Sequence, residues 1–266
     1  MKLARAFESM EKQLPALRDY SVPIMAEQIG GRPRPLGTGW FFRIENHWFL
    51  VTARHVLCDL FPKGADLTRD KNDCDIIVPG VGGQRVHLSG KATMVARHDV
   101  GVLHLNNPEL VRDRWTPVTM LDLLRDDDSP QGWYFLTGWP QQLYRTTSIG
   151  LASKSLQLVA PFGSHGRSFD PGEEILITLD RNDHRTLDGH PLSVPALQGI
   201  SGAPAWRIVP DGSTSYEPRL AGIQTGYFED GAVWIVHATR CGVLRFLIER
   251  QFPGMFSASE RLVSQW

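Results

Sequence analysis

The stretch QGISGAP, residues 198–204, decides the fold prediction. It places Ser201 between glycines, directly ahead of an apolar run that begins at Ala203. A serine hydroxyl is a poor nucleophile at neutral pH unless a base takes its proton and a carboxylate orients that base. Because Gly199 has no Cβ, the N–H groups of Gly199 and Ser201 can point at one spot and stabilise a developing oxyanion. Alone, the stretch also fits a plain glycine-rich turn, so the rest of the chain has to supply the base and the acid.

Two earlier stretches supply them. TARHV at 52–56 contains His55, and HDVGVL at 98–103 contains Asp99 at the start of an apolar run. A lone histidine is most often a core residue, and an acid entering an apolar strand is costly unless a polar group faces it. His98 adjoins Asp99, but strand neighbours point to opposite faces, so we expect a turn or surface position for it. The chain order predicts His55 as base, Asp99 as orienting acid and Ser201 as nucleophile.

Short apolar runs recur along most of the chain, and turn residues separate them. The runs cover 39–44, 47–52, 75–79, 86–88, 92–96, 100–105, 132–137, 155–159, 174–179, 203–208, 220–225 and 233–238. This spacing predicts an all-β barrel or sandwich. The α/β-hydrolases place the acid and the histidine after the serine, and that order is absent from this sequence.

Together these stretches resemble the trypsin-like (chymotrypsin-fold) serine peptidases, in particular their bacterial branch without disulfides. The three match the family's T-A-x-H-V, D-[IVL]-A-[VL]-L and G-x-S-G-[GA]-P, with Gly101 at the usual alanine position. GTGWF at 37–41 resembles the strand that opens the first barrel, and LAGIQTG at 220–226 resembles the strand that lines the substrate cleft. The resemblance covers about residues 33–250. It implies two six-stranded antiparallel β-barrels and a peptidase that needs no cofactor and no metal.

The domain organisation follows from the resemblance and from helical spacing at the two ends. We expect an N-terminal helix and linker over 1–32, a first barrel over 33–120 that carries the histidine and the aspartate, a second barrel over 121–240 that carries the serine, and a C-terminal helix and tail over 241–266. Apolar residues at helical spacing within 2–14 predict the first helix. The second helix, which we expect to pack on the second barrel, is predicted by Val243, Leu244, Leu247 and Ile248.

The resemblance also implies an S1 pocket, which receives the substrate side chain ahead of the cleaved bond (P1). Its expected residues are Pro195, Ala196, Gln198, Gln224, Thr225, Gly226, His237 and Ala238. None carries the acid that a buried Arg or Lys would need, so we expect small or medium apolar P1 residues. An inward His237 would favour Glu or Gln, whereas a one-residue shift would turn it outward. Asp183 or Asp188 reaching the pocket would reverse the preference toward Arg or Lys.

Ile200 is an informative departure from the digestive and clotting relatives. Those relatives carry an aspartate just before the serine, and it receives the N-terminus that zymogen cleavage frees. An isoleucine cannot form that ion pair, so this activation switch cannot operate here. The residues ahead of the first barrel strand are therefore expected to be structural, and any regulation must come from elsewhere.

Composition narrows the function class further. The 266 residues are 42% hydrophobic, enough for a packed core, and the net charge of −1 gives no basic field for nucleic acid. No apolar run has the length of a membrane span or the pattern of a signal peptide. The three cysteines, Cys58, Cys74 and Cys241, fit free thiols in a reducing cytosol, although a Cys58–Cys74 bridge stays open. The polar loop 180–190 lacks a recognised metal spacing.

We therefore expect a cytoplasmic serine endopeptidase that acts on a protein or peptide substrate and binds neither nucleic acid nor membrane. The alternative is a latent or non-catalytic trypsin-fold binding module that a regulatory protein partner activates. Fold-level analogy alone suggests a role in a bacterial stress or anti-phage system.

Overall fold

The architecture is described by a computed structural model. The described residues are 13, 16–27, 33–60, 76–80, 84–124, 129–147, 150–152, 154–164, 166–181, 194–210 and 216–256. The helix predicted over 2–14 lies almost entirely outside these ranges. Cys74, Asp183 and Asp188 also lie outside them.

The first sheet is antiparallel and has the strand order β5-β4-β1-β2-β3-β7-β6. Its strands are β1 (Val22–Glu27), β2 (Pro33–Ile44), β3 (His47–Ala53), β4 (Ile76–Pro79), β5 (Arg85–Leu88), β6 (Gly90–Val95) and β7 (Val100–Leu105). The two edge strands, β5 and β6, are separated in the chain by Ser89 alone, so the sheet closes on itself. Asn107 fastens this bend by accepting a hydrogen bond from the Ser89 N–H at 3.4 Å and donating one to the His87 carbonyl at 3.2 Å. β5 and β6 thus act as two halves of one bent strand, and the closed barrel has six strands.

The first barrel begins earlier than the sequence analysis placed it. Residues 22–27 were assigned to an N-terminal helix and linker, but they form β1, which pairs with β2 from Val22↔Gly39 to Glu27↔Pro33. Val22, Ile24 and Met25 are buried in the barrel. The strand lacks strict alternation and contains Pro23, which removes a ladder donor and weakens the strand signal.

The second sheet has the order β11-β8-β13-β14-β15-β12. Its strands are β8 (Trp133–Gly138), β11 (Leu156–Pro161), β12 (Glu174–Asp180), β13 (Pro204–Pro210), β14 (Tyr216–Asp230) and β15 (Val233–Arg240); β9 (Arg145–Thr147) and β10 (Gly150–Ala152) form a separate hairpin. The edges meet where Phe162 bridges Ile177. There the Gly163 N–H donates to the Leu176 carbonyl at 3.0 Å, and the Thr178 hydroxyl donates to the Gly163 carbonyl at 2.8 Å. This barrel is also closed.

A shared apolar core joins the barrels. Trp40 and Phe42 of the first barrel belong to the same buried cluster as Trp206 and Ile223 of the second. The C-terminal helix α2 (Cys241–Gln251), named after the short helix α1 described below, inserts Leu244, Leu247 and Ile248 into this cluster. The helix is confirmed, but it packs on the core that both barrels share rather than on the second barrel alone.

The predicted fold class is confirmed: the chain is mainly β, with two antiparallel barrels of the chymotrypsin-like kind and a C-terminal helix. No helix in the described ranges is both long and apolar enough to cross a membrane.

Candidate active site

His55 and Asp99 meet at one end of the first barrel. His55 lies in α1 (Arg54–Cys58), which follows β3 without a linker, and Asp99 immediately precedes β7, the neighbour of β3. The Asp99 carbonyl accepts the Arg54 N–H at 2.7 Å, and its Oδ1 accepts the His55 N–H at 3.0 Å. Its Oδ2 lies 2.6 Å from His55 Nδ1. An ionised carboxylate only accepts hydrogen bonds, so this contact places the ring proton on Nδ1 and leaves Nε2 as an acceptor.

The turn that carries Asp99 is held by the second barrel. Asp99 has a φ of 50°, a left-handed conformation that few residues other than glycine adopt. The buried Thr239 of β15 donates its hydroxyl to the carbonyl of the preceding His98 at 2.8 Å. Glu173 forms a 2.9 Å ion pair with Arg97 in the same turn. His98 itself lies in the turn, as predicted, and not in a strand.

The turn that carries Ser201 is in return held by the first barrel. The N–H of the buried Thr38 donates to the Ser201 carbonyl at 2.8 Å. The Thr38 hydroxyl donates to the Gly199 carbonyl at 2.9 Å and accepts the Trp139 N–H at 2.9 Å. The Thr52 hydroxyl donates to the Thr38 carbonyl at 2.6 Å and so holds β2 and β3 beside the turn.

Gly202 shows how closely the serine turn approaches the histidine's helix. Its φ is 92°, and a Cβ on it would overlap the Thr38 carbonyl and lie 3.0 Å from the Ala53 amide nitrogen. Ala53 is the last residue of β3, two positions before His55. Among the residues described, the Ser201 hydroxyl and the His55 ring are not hydrogen-bonded to each other. Such bonds are often long without substrate and tighten in the complex.

The two predicted oxyanion donors have no hydrogen-bond acceptor among the described residues. Neither the Gly199 N–H nor the Ser201 N–H donates a hydrogen bond within the described part of the chain. Gly199 has a φ of 93°, which glycine adopts without strain. The carbonyls of the same two peptide groups are both engaged, since Gln198 O accepts the Gln141 N–H and Ile200 O accepts the Ala203 N–H, each at 2.8 Å. Two free, neighbouring N–H groups can receive an anionic oxygen.

Ile200 anchors the turn through packing. Its side chain is 2% exposed, and it fills the space that a Cβ on Gly138 would occupy, 2.8 Å from Ile200 Cβ. The residue before Ser201 is therefore held by an apolar contact.

The residues of β14 and β15 that are predicted for the S1 pocket lie directly beside the serine turn. The Gln224 carbonyl accepts the Gly202 N–H at 2.7 Å, and the Gln224 N–H donates to the Ala203 carbonyl at 2.9 Å. Ala238 pairs with Gln224 across the sheet, and a Cβ on Gly226 would meet open space. The Gln224 Nε2 donates to the Gly226 carbonyl, whereas its buried Oε1 has no partner in the described ranges.

Three other residues predicted for the S1 pocket, Pro195, Ala196 and Gln198, adjoin a different loop. Pro195 and Ala196 are partly buried and Gln198 is exposed. The Ala196 N–H donates to Gln142 Oε1 at 3.2 Å. The structure therefore places these three residues between the serine turn and the loop that follows β8.

His237 does not offer a free nitrogen to a substrate. Its Nδ1 lies 2.7 Å from the Thr225 hydroxyl and its Nε2 lies 3.0 Å from Glu174 Oε1. Partial burial by itself would raise the pKa of Glu174, but hydrogen bonds from the Asp170 N–H and the His237 ring outweigh it and hold that pKa below its usual value. Both ring nitrogens are thus engaged, and a carboxylate lies beside them.

Sequence reasoning missed the residues that brace the site. The glycines on either side of Thr38 indicated close packing, since a Cβ on Gly37 would lie 2.6 Å from Val56 Cγ2, but they did not indicate the hydrogen bonds of Thr38. Thr239 had no signal, because its bond to the His98 carbonyl depends on how the two barrels meet. Glu174 had none either, because its contact with His237 depends on how β12 pairs with β15. No group of three or more metal-ligating side chains is found where the structure describes the chain.

Comparisons with known proteins add little to this geometry. No family model matches the sequence, and no curated protein matches it. Among solved structures, the chain is similar to the crystal structure of the MamO protease domain from Magnetospirillum magneticum in its apo form. The identity is 11% and the TM-score 0.47, over 86% of this chain and 96% of that chain. A similarity of this extent says nothing about activity, so function has to be argued from the site.

Proposed function

We propose that the chain is a trypsin-like serine endopeptidase. Ser201 attacks the scissile carbonyl and forms an acyl-enzyme, while His55 takes the proton and returns it to the leaving amine. Asp99 orients His55, and the N–H groups of Gly199 and Ser201 stabilise the oxyanion. The observation that carries the proposal is the 2.6 Å contact between Asp99 Oδ2 and His55 Nδ1, beside the turn that presents Ser201.

The exposure of the pair suits this chemistry. The His55 side chain is 48% exposed and that of Asp99 is 32% exposed, so a peptide can reach the pair from solvent. With Nδ1–H bound to Asp99, Nε2 is the basic nitrogen, and the nearby carboxylate stabilises the imidazolium that forms. Asp99 also accepts the His55 N–H, which fixes ring and backbone together.

For the substrate we propose peptides with a small or medium apolar P1 residue. Gln224, Gly226 and Ala238 are uncharged, and an apolar side chain gains about 25 cal/mol per Å² on burial. Glu174 sits against His237 and would repel a P1 glutamate, which makes the Glu alternative the weaker one.

The second candidate is a latent or non-catalytic trypsin-fold module that a regulatory protein partner activates. The observation that favours it is the absence, within the described residues, of a hydrogen bond between Ser201 and His55. A partner that closed this gap would switch the site on. The free donors at Gly199 and Ser201 favour the active enzyme instead.

We also propose a cytoplasmic, bacterial setting with a protein or peptide as substrate. Cys58 is a free thiol, which fits a reducing compartment. As domain boundaries we propose a first barrel from Val22 to about residue 120, a second barrel to Arg240 and the helix and tail beyond it.

Labelling by a fluorophosphonate probe tests the proposal. The purified protein should be labelled at one serine, Ser201→Ala should abolish the labelling, and the matched control Ser129→Ala, at an exposed serine, should keep it. Labelling only after a cell lysate is added would select the latent module, and labelling that survives Ser201→Ala would refute the nucleophile.

A further inference from the structure

We propose that Gln141 is a positioning residue for the oxyanion hole, because its backbone N–H locks the peptide between Gln198 and Gly199 with the Gly199 N–H facing the cleft. The inference rests on the proposed function, which gives Gly199 its role. It adds a hydrogen bond that holds the oxyanion hole in its active conformation before substrate binds.

The lock follows from the planarity of the peptide bond. The Gln141 N–H donates to the Gln198 carbonyl at 2.8 Å. A trans peptide holds its C=O and N–H in opposite directions. Because the carbonyl is fixed toward Gln141, the Gly199 N–H points away from it, and within the described residues nothing accepts that N–H. A flipped peptide would instead turn a carbonyl oxygen toward the oxyanion and repel it.

The contact is close enough to depend on glycine. A Cβ on Gly199 would lie 2.7 Å from the Gln141 nitrogen and 2.9 Å from the Trp139 carbonyl oxygen. With a φ of 93° as well, this position excludes any residue with a side chain unless the loop moves. Gly199 is therefore needed for the close contact with Gln141 as well as for the oxyanion hole.

Gln141 is itself held in place. It begins a single 3-10 turn, Gln141–Leu143, which the Leu143 N–H closes on the Pro140 carbonyl at 3.0 Å. Its Nε2 donates to the Pro35 carbonyl of β2 at 3.3 Å. The lock is therefore braced against the first barrel.

Gln141→Pro is the direct test, since it deletes one N–H. Pro140 already has φ −61° and ψ 137°, the extended shape preferred before a proline, and the first position of a helical turn tolerates proline. We expect kcat to fall about 10- to 100-fold with KM nearly unchanged, as when an oxyanion donor is weakened. Gln141→Ala, the matched control, keeps the N–H, and its kcat should lie within about threefold of the native value. Equal kcat values in the two variants would overturn the inference.

Amide hydrogen exchange on the unsubstituted protein gives a readout that needs neither activity nor a foldable variant. The Gln141 N–H should exchange slowly and the Gly199 N–H quickly. A Gly199 N–H as protected as that of Gln141 would overturn the lock. A protein with this exchange pattern but no fluorophosphonate labelling and no hydrolysis would keep the lock and contradict the proposed function, so the two failures are distinguishable.

Discussion

Thr38 of the first barrel donates its hydroxyl to the carbonyl of Gly199 in the second, over 2.9 Å, and so ties the barrels together at the candidate active site. The same oxygen accepts the Trp139 N–H, and both partners are buried. Because one hydroxyl satisfies two backbone groups, its loss leaves a buried donor and a buried acceptor without partners.

We predict that Thr38→Val lowers the free energy of unfolding by about 1–3 kcal/mol, the usual range for a buried group left unsatisfied. It should also lower kcat more than it raises KM, because the turn that carries Ser201 loses its support. The matched control is Thr178→Val, which removes a hydroxyl-to-carbonyl bond at the far closure of the second barrel. Urea unfolding and steady-state kinetics check both; equal effects on kcat in the two variants would show that the Thr38 bond is merely structural.

Asp99→Asn should lower kcat by about 10⁴ near pH 7. The amide can still accept the His55 N–H, and asparagine tolerates the left-handed backbone at this position. The fold should therefore survive, while an amide N–H opposite Nδ1 favours the wrong histidine tautomer. Kinetics at pH 7 with circular dichroism as the control decide this, and a near-normal rate would move the orienting role to another carboxylate.

His104 should make stability depend on pH. Burial first, then the charges of His47 and Lys91, lower the pKa of His104 below its ordinary value, and its Nε2 lies 3.2 Å from His47 Nδ1. Below about pH 6.5, the ordinary histidine pKa, His104 binds a proton in the unfolded chain but stays neutral in the folded chain. Stability should therefore fall as the pH drops from 6.5 toward the folded pKa. Urea unfolding from pH 7.5 to 5 measures this, and His104→Gln should flatten the curve; an unchanged slope in that variant would contradict the assignment.

Cleavage-site profiling over a peptide library tests the predicted P1 preference. We expect cuts after small or medium apolar residues, because the S1 residues that the structure describes carry no charge that could pair with a buried cation. Dominant cutting after Arg or Lys would show that an acid, Asp183, Asp188 or Glu174, pairs with the substrate side chain. Dominant cutting after Glu would mean that His237 gives up its contact with Glu174 and binds the substrate side chain instead.

Local pattern predicted the elements well. Each apolar run singled out in the sequence overlaps a strand of one of the barrels, because alternation and turn residues act within a few positions of the chain. β1 was missed because Pro23 weakens its strand signal, although pairing with β2 and burial stabilise the strand in the barrel. The contact between His55 and Asp99 could be anticipated, since the resemblance implied that Asp99 orients His55.

The braces of the site could not be anticipated. Thr38, Thr239 and Gln141 act through hydrogen bonds to backbone carbonyls of residues far away in the chain. Such bonds need only a donor at the right place, so the residue type leaves no pattern in the sequence. They become visible only in the folded structure.

The most direct test of the central claim, a Ser201–His55–Asp99 mechanism, is a double-mutant comparison of kcat on a peptide substrate. Ser201→Ala and His55→Ala should each lower kcat by roughly 10⁴–10⁶, and the double variant should be little worse than either, because the residues act as one unit. If Ser201→Ala keeps more than about a tenth of the peptidase activity of the native protein, the mechanism is wrong.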